Sequence, residues 1–453
     1  MKMSKTQWTP PKLISAVVWF GLLFVFVQWW ELGLGVPMGW TSTFLAALAI
    51  QEKLTNSSTS EAAQPKSRNL LWWIAVVLTL WLIKLLRSWG ALGGFGDEVR
   101  LLLGLADFVL PLALAVGALK RFALSSHKWL AYVAVATSLV FLIWFVSVRM
   151  PGSSYSGPQA PLHATEVETQ VRLEAHVEHL ATTIGARSVR ERDGLLAARD
   201  YIVASLVADG WTPTLQEFEA DGEIFWNVEV AVPGDGSTDE LVLVGAHYDV
   251  CGSRPGADDN GSGVAALLEM AHFAKHANAK RGLRLVFFAN EEPPHFGTEN
   301  MGSRVRARAM TAAQEKVSAM FSLESIGYFR DEPGSQQYPF PLGFFYPSQG
   351  DFIAFVGNPN SRQLVRDSIA SFRKSTYFPS QGSVSPSFVP GVYWSDHASF
   401  WKEGTEAIMI TDTAPFRNPN YHRATDTPDT LDFPKLARLV PGLWQVVLSA
   451  AND

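Results

Sequence analysis

Residues 241–263 read LVLVGAHYDVCGSRPGADDNGSG. The opening run, Leu241 to Val244, is apolar and half valine, the composition of a buried strand. It delivers His247 and Asp249 at its end, two residues apart and so on one side of the chain. Cys251 to Asn260 is punctuated by Gly and Pro and reads as a loop. That loop presents Asp258, Asp259 and Asn260, then Gly261-Ser262-Gly263, before a helical pattern from Val264 to Phe273. A strand end carrying His and Asp, then an acidic loop leading into a helix, puts metal-type ligands at the rim of an α/β sheet. Open sheets of this kind bind ligands at the carboxyl ends of their strands.

Outward from there, strand and helix patterns alternate. Helices are expected over Glu166–Ile184 and Gly194–Asp209, and strands over Trp211–Glu219 and Glu223–Val232. The turn Pro233-Gly234-Asp235-Gly236 predicts a hairpin between the last of these and the Leu241 strand. Further strands are expected at Leu283–Ala289, Val317–Ser322 and Ala407–Thr411. Helices are expected at Gly302–Met310, Ser361–Lys374 and Phe433–Ala450. The fold class that follows is α/β, with a mixed, mostly parallel central sheet and helices on both faces.

The first third differs in kind. Four apolar runs, Leu13–Trp30, Leu70–Leu86, Val99–Leu119 and Trp129–Val148, approach the ~20 residues a helix needs to cross a bilayer. A weaker fifth, Leu32–Ile50, is interrupted by Gly33, Gly35, Pro37 and Gly39. Tryptophans 29, 30, 72, 73 and 89 sit near the expected ends, where interfacial tryptophans collect. With five spans, the basic segments around Lys2–Lys12, Lys53–Arg68 and Lys120–Lys128 share one side, which the positive-inside rule makes cytoplasmic. The chain after Arg149 then emerges on the extracytoplasmic side; four spans would leave it in the cytoplasm. Asp107 falls mid-span, as an intramembrane site or as a partner for Lys84 or Arg100. The expected organisation is a transmembrane helical region over 1–149, a Gly/Ser/Pro linker over 150–162 and a globular domain over 163–453.

The net charge of −6 suggests no nucleic-acid partner. The single cysteine, Cys251, excludes an internal disulfide and a cysteine-based zinc site. Four further polar sites stand near the expected strand ends: Asn290-Glu291-Glu292, Leu323-Glu324-Ser325, Ser395-Asp396-His397 and Asn420-Tyr421-His422. Each alone has an ordinary reading. Paired glutamates are usually solvated, and Asp258-Asp259-Asn260-Gly261 faintly echoes a calcium loop whose later Glu is at the wrong offset. Together they supply the imidazoles and carboxylates that suit zinc.

In order and spacing, HYD, GADDNGSG, FFANEE, LESIGY and the late YH resemble the zinc-dependent exopeptidases of the di-zinc aminopeptidase family, whose relatives include the glutaminyl cyclases. The resemblance runs from about Val171 to the end and implies the zinc-exopeptidase type of α/β fold. It implies two zinc ions, with His247 and Glu324 holding one, Glu292 and His422 the other, and Asp259 bridging both. It assigns Asp249 to orienting His247, Glu291 to the general base and Tyr421 to stabilising the tetrahedral intermediate. Many relatives have Asp where this chain has Glu324. Asp396 reads as a supporting or substrate-side group and His397 as structural. The aromatic stretch Tyr338–Phe355 is read either as the lining of an apolar substrate pocket or as packing. The implied activity is a membrane-anchored aminopeptidase acting on peptide substrates. A single-zinc glutaminyl-peptide cyclotransferase and a non-catalytic ectodomain are the other readings.

Overall fold

The computed structural model describes residues 144–453, apart from 340 and 341, together with Ser138 and Leu142. Almost all of the expected membrane region, Asp107 included, lies outside the described residues. Among the described residues no helix is long and apolar enough to cross a membrane.

One sheet of eight strands organises the described residues: β1 (Thr214–Ala220), β2 (Glu223–Val232), β3 (Glu240–His247), β4 (Gly282–Phe288), β5 (Lys316–Glu324), β6 (Ile353–Gly357), β7 (Ser380–Val384) and β8 (Ala407–Thr411). Their spatial order is β1-β2-β4-β3-β5-β8-β6-β7. The central run β4-β3-β5-β8 is parallel throughout, so four strand ends point the same way. The antiparallel pairs are β1–β2, β2–β4 and β8–β6, while β6 and β7 run parallel.

Alternation along β3 explains why it is central. Val242, Val244 and Ala246 enter the main core, where α1 (Ala164–Glu178), α3 (Gly263–Ala274) and α7 (Phe433–Asn452) pack. Leu243 faces the other way and joins a second core with Ala307 of α4 (Gly302–Ala312) and Phe400 of α6 (His397–Lys402). Both faces are therefore covered, as a parallel sheet requires. The remaining helices are α2 (Arg192–Ala208) and α5 (Arg362–Ser375).

The expected hairpin between Glu223–Val232 and the Leu241 strand does not form. β2 pairs with β1 and β4, and β4 separates it from β3. A two-sided apolar strand such as β3 gains most by taking parallel neighbours on both edges, and the turn after Val232 instead carries the chain across the end of β4. The hairpin is β1–β2, closed by Asp221-Gly222 at φ of 53° and 82°. Asp-Gly is a strong two-residue turn signal. Two strands were not expected. Ile353–Gly357 lies at the end of the aromatic stretch, and Ser380–Val384 (SQGSV) has no apolar alternation to announce it.

The linker lies against the globular domain. The Arg373 guanidinium donates to the Pro151 and Gly152 carbonyls, and the Ser380 amide donates to Ser154. The helical turn Trp144–Val148 also reaches α5, through Arg362 donating to the Val146 carbonyl.

Candidate metal centre

The parallel ends of β4, β3, β5 and β8 deliver the chemistry. His247 ends β3, Glu291 and Glu292 follow β4, Glu324 ends β5, and the segment after β8 carries Tyr421 and His422. Asp258 and Asp259 come from the β3–α3 loop.

Asp259 lies between the two imidazoles. Its Oδ1 is 3.4 Å from His247 Nε2 and its Oδ2 is 3.0 Å from His422 Nε2. His247 Nε2 also stands 3.2 Å from Glu324 Oε2 and 4.0 Å from Glu291 Oε2. His422 Nε2 stands 3.0 Å from Glu292 Oε1. Two donor groups result, His247–Asp259–Glu324 and His422–Asp259–Glu292, sharing one carboxylate. Both Nε2 atoms and Glu292 Oε1 are buried without a hydrogen-bond partner in the protein. Buried polar atoms left so need a ligand, and imidazoles with carboxylates are the donor set that zinc takes.

Electrostatics agree. Burial alone would lower His247, yet Glu324 and Glu291 outweigh it and hold the imidazole well above its ordinary value. Burial opposes the rise at His422 too, and Asp259 drives it well up. Asp259 sits below the usual carboxylate range although burial works against that, because the two imidazoles stand 3.4 and 3.0 Å from its oxygens. The cluster thus calls for cationic charge at its centre, which divalent ions supply. Burial, opposed by His247 and reinforced by Glu292, Glu324 and Asp396, raises Glu291 well above the carboxylate range. Burial, then Asp259, pushes Glu292 up to about 7.

The supports are specific. His247 Nδ1 is 3.1 Å from the Asp249 carbonyl oxygen, which fixes the ring with Nε2 inward. The Asp249 carboxylate lies 3.5 Å from the same nitrogen, but its two oxygens accept the Glu291 and Glu292 amides, at 3.0 Å each. Asp249 therefore positions the glutamate pair as well as the histidine. Glu324 accepts from Ser325 and Ser395 hydroxyls at 2.9 and 2.8 Å. Asn260 accepts the Gly263 and Ser325 amides and donates to the Leu323 carbonyl, tying the acidic loop to β5. Asn290, Ser325 and His422 adopt φ of 60°, 47° and 56°, the left-handed backbone that concentrates at functional sites. The glutamate pair is buried, against the ordinary reading of such pairs as solvated.

Tyr421 stacks on His422 with ring centroids 3.9 Å apart, and burial, then Asp259, pushes its phenol well above the ordinary value. Asp396 is buried with both oxygens unpartnered and is raised to about 7 by burial. It belongs to neither donor group. His397 donates its Nε2–H to the Val392 carbonyl, 2.8 Å away, and meets the Trp401 ring edge-on.

Several functional supports were not foreseen. Arg187 is fully buried and its guanidinium donates to the carbonyls of Tyr248, Leu180, Gly185, Pro255 and Gly256, clamping both ends of the acidic loop. Asp426 accepts the Asp258 and Asp259 amides. Neither lies in a recognisable motif. A single cysteine, Cys251, cannot by itself build a cysteine-based zinc site. Its sulfur nevertheless lies within 4.8 Å of donor atoms of Glu292 and His422.

The aromatic stretch lines a pocket. A cavity of about 100 Å³ opens beside Glu324 and Tyr421, walled by Tyr338, Phe352, Trp394, Met409 and Phe416. Tyr338, Leu342, Tyr346 and Phe352 of that stretch line this cavity, and Phe352 and Tyr338 also pack in a small buried core.

Residues 227–447 match the sequence pattern of Peptidase family M28. The chain is 39% identical over 296 residues to the uncharacterised protein YfbL of Escherichia coli (strain K12), covering 63% of this chain and 88% of that one. It is 32% identical over 238 residues to leupeptin-inactivating enzyme 1 of Streptomyces exfoliatus, covering 51% and 47% of the two chains. A probable leucine aminopeptidase of Trichophyton verrucosum is 28% identical over 221 residues, 46% of this chain and 52% of that one. The chain thus spans about half the length of these last two relatives. Among solved structures, the zinc aminopeptidase BSAP from Bacillus subtilis superposes with a TM-score of 0.52 at 13% identity, over 63% of this chain and 95% of that one.

Proposed function

The chain belongs to peptidase family M28 and is a zinc metallopeptidase, and we propose that it is a membrane-anchored aminopeptidase holding two zinc ions and cleaving N-terminal peptide bonds. The observation that carries the proposal is the Asp259 carboxylate, one oxygen turned to each imidazole. His247 and Glu324 would hold one ion, Glu292 and His422 the other, with Asp259 common to both. Paired divalent ions sharing a carboxylate lower the pKa of a bound water towards neutrality and polarise the substrate carbonyl.

The chain's own residues do the rest. Glu291 has no part in either donor group and lies beside them, so it is free to take a proton from the attacking water and pass it to the departing amine. Its neighbour Glu292 turns to His422 instead. The Tyr421 hydroxyl, kept protonated by its surroundings, is suited to donate to the oxygen that gains charge. Asp396, buried with both oxygens unpartnered and outside both donor groups, would leave a carboxylate for a substrate's free ammonium end. The neighbouring pocket offers aromatic and aliphatic walls to an apolar side chain.

The purified full chain should contain about two zinc ions, and His247→Ala and His422→Ala should each lower that content. It should release apolar amino-terminal residues from peptides and leave amino-blocked peptides intact. A stoichiometry of one, unaffected by His247→Ala, together with cyclisation of amino-terminal glutamine, would replace this reading with a glutaminyl cyclase.

Anchoring rests on the apolar runs of the first third and on their basic loops. A reporter fused after Arg149 should report the extracytoplasmic side; cytoplasmic activity there would mean an even number of spans.

A further inference from the structure

We propose that the Cys251 thiolate is itself a ligand of the ion on the His422 side, giving that half of the centre a sulfur donor. The inference rests on the two-zinc reading above. Its origin is the same alternation that delivers His247 and Asp249. Positions 247, 249 and 251 all reach the centre: His247 meets Asp259, the Asp249 carboxylate accepts the Glu291 and Glu292 amides, and Cys251 lies by Glu292 and His422. Cys251 is the third residue of that row. Its Sγ, one Glu292 oxygen and one His422 nitrogen all lie within 4.8 Å of one another. Donors around one tetrahedral zinc stand roughly 3.3–3.8 Å apart, given bonds of about 2.0–2.3 Å. The second observation is Glu292 Oε1, on a residue 3% exposed and without any hydrogen-bond partner. It stands 3.0 Å from His422 Nε2, on the side of the ring where the Cys251 cluster forms.

The consequence is an unequal pair. With Cys251, the His422 side would offer sulfur, imidazole and Glu292, with Asp259, 3.0 Å from the same imidazole, as a fourth donor. The His247 side has three: imidazole, Glu324 and Asp259. Four protein donors close a tetrahedral zinc, whereas three leave a position open. The site next to the general base Glu291 is then the one left open to water and substrate. A thiolate also favours zinc over manganese or magnesium on the His422 side, since soft ligands select softer ions. Binding proceeds by loss of the thiol proton to solvent as the metal–sulfur bond forms.

Cobalt(II) tests this without recourse to activity. The full chain, stripped of metal and reloaded with cobalt, should show a near-ultraviolet thiolate-to-cobalt charge-transfer band. Cys251→Ala should abolish the band, and Cys251→Ser should not restore it. Iodoacetamide should alkylate Cys251 at least ~10-fold more slowly in the metal-loaded chain than in the stripped one, because only a free thiolate attacks readily. Two bound cobalt ions with no such band, or alkylation equally fast with and without metal, would overturn the cysteine ligand alone and leave the two-zinc reading standing. A chain that binds no cobalt would overturn both.

Discussion

The two halves of the centre are built differently. On one side, His247 and Glu324 are the last residues of adjacent strands β3 and β5, and they are 1% and 6% exposed. Sheet hydrogen bonds hold them, and Ser325 and Ser395 hold the Glu324 carboxylate. On the other side, Glu292 and His422 come from loops, and the His422 side chain is 32% exposed. The ring is held chiefly by stacking on Tyr421 and by the two carboxylates it meets. A ligand on a strand end keeps its position when the ion leaves; a ligand on a loop must be reordered each time. The strand-built half is the preorganised one, and the loop-built half depends on how its loops are held.

The largest effect should separate the adjacent glutamates. Glu291→Gln keeps size and loses basicity, so it should retain the metal content of the wild type while turnover falls ~10²–10⁴-fold. KM should change little, because the base acts in the transition state. Glu292→Gln weakens a loop-side ligand and should lose metal, with part of the activity returning in excess zinc. If Glu291→Gln lost the metal and Glu292→Gln kept it, the two halves would have to be reassigned.

Next comes the order in which metal leaves. In Cys251→Ala, where no sulfur compensates the loop-built half, the strand-built half should hold its ion ~10–100-fold more tightly, the range that supporting hydrogen bonds contribute to metal affinity. Stepwise dialysis against a chelator should give a one-metal state. His422→Ala should leave that state's metal content untouched, whereas His247→Ala should remove it. Loss of the two ions in a single step would erase the distinction between halves.

Much of this difference was legible in the sequence, and what was not has physical reasons. His247, Glu291, Glu292 and Glu324 stand at or just after apolar β-branched runs, so their place at the sheet edge follows from strand periodicity. The bridging position of Asp259 needed its Gly-bracketed loop, which is also a sequence signal. The order of strands was not legible, because β2 and β3 are joined by a turn-rich loop and only long-range packing inserts β4 between them. β7 was missed because Ser, Gln and Gly give it no alternation. Arg187 was invisible for a different reason. It is satisfied entirely by backbone carbonyls, so no second side chain marks its role. Cys251 was dismissed by counting cysteines, although its spacing from His247 and Asp249 already placed it on their side of the chain.

The smallest effect concerns what backs the strand-built half. Ser395, which holds Glu324, leads directly into α6, and α6 begins at His397. That imidazole is wholly buried, and burial lowers it to about 4 from an ordinary 6.5. Its neutral form is therefore the one the fold accepts. The unfolded chain binds the proton more readily, so stability rises with pH across this window. The contribution is complete above about pH 6.5, is lost as pH falls towards 4, and levels off below that. At pH 5.5 the loss is on the order of 1 kcal/mol, roughly tenfold in the unfolding equilibrium. Other carboxylates titrate in the same range, so the informative quantity is a difference between proteins. His397→Phe keeps a ring against Trp401 and cannot titrate, at the cost of the bond to the Val392 carbonyl. Its denaturant midpoint should fall less than that of the wild type between pH 7.5 and 5.5, even if it is lower at both. An equal fall in the two proteins would mean that α6 does not sense the proton, and that the acid sensitivity of the strand-built half, if any, lies in its carboxylates.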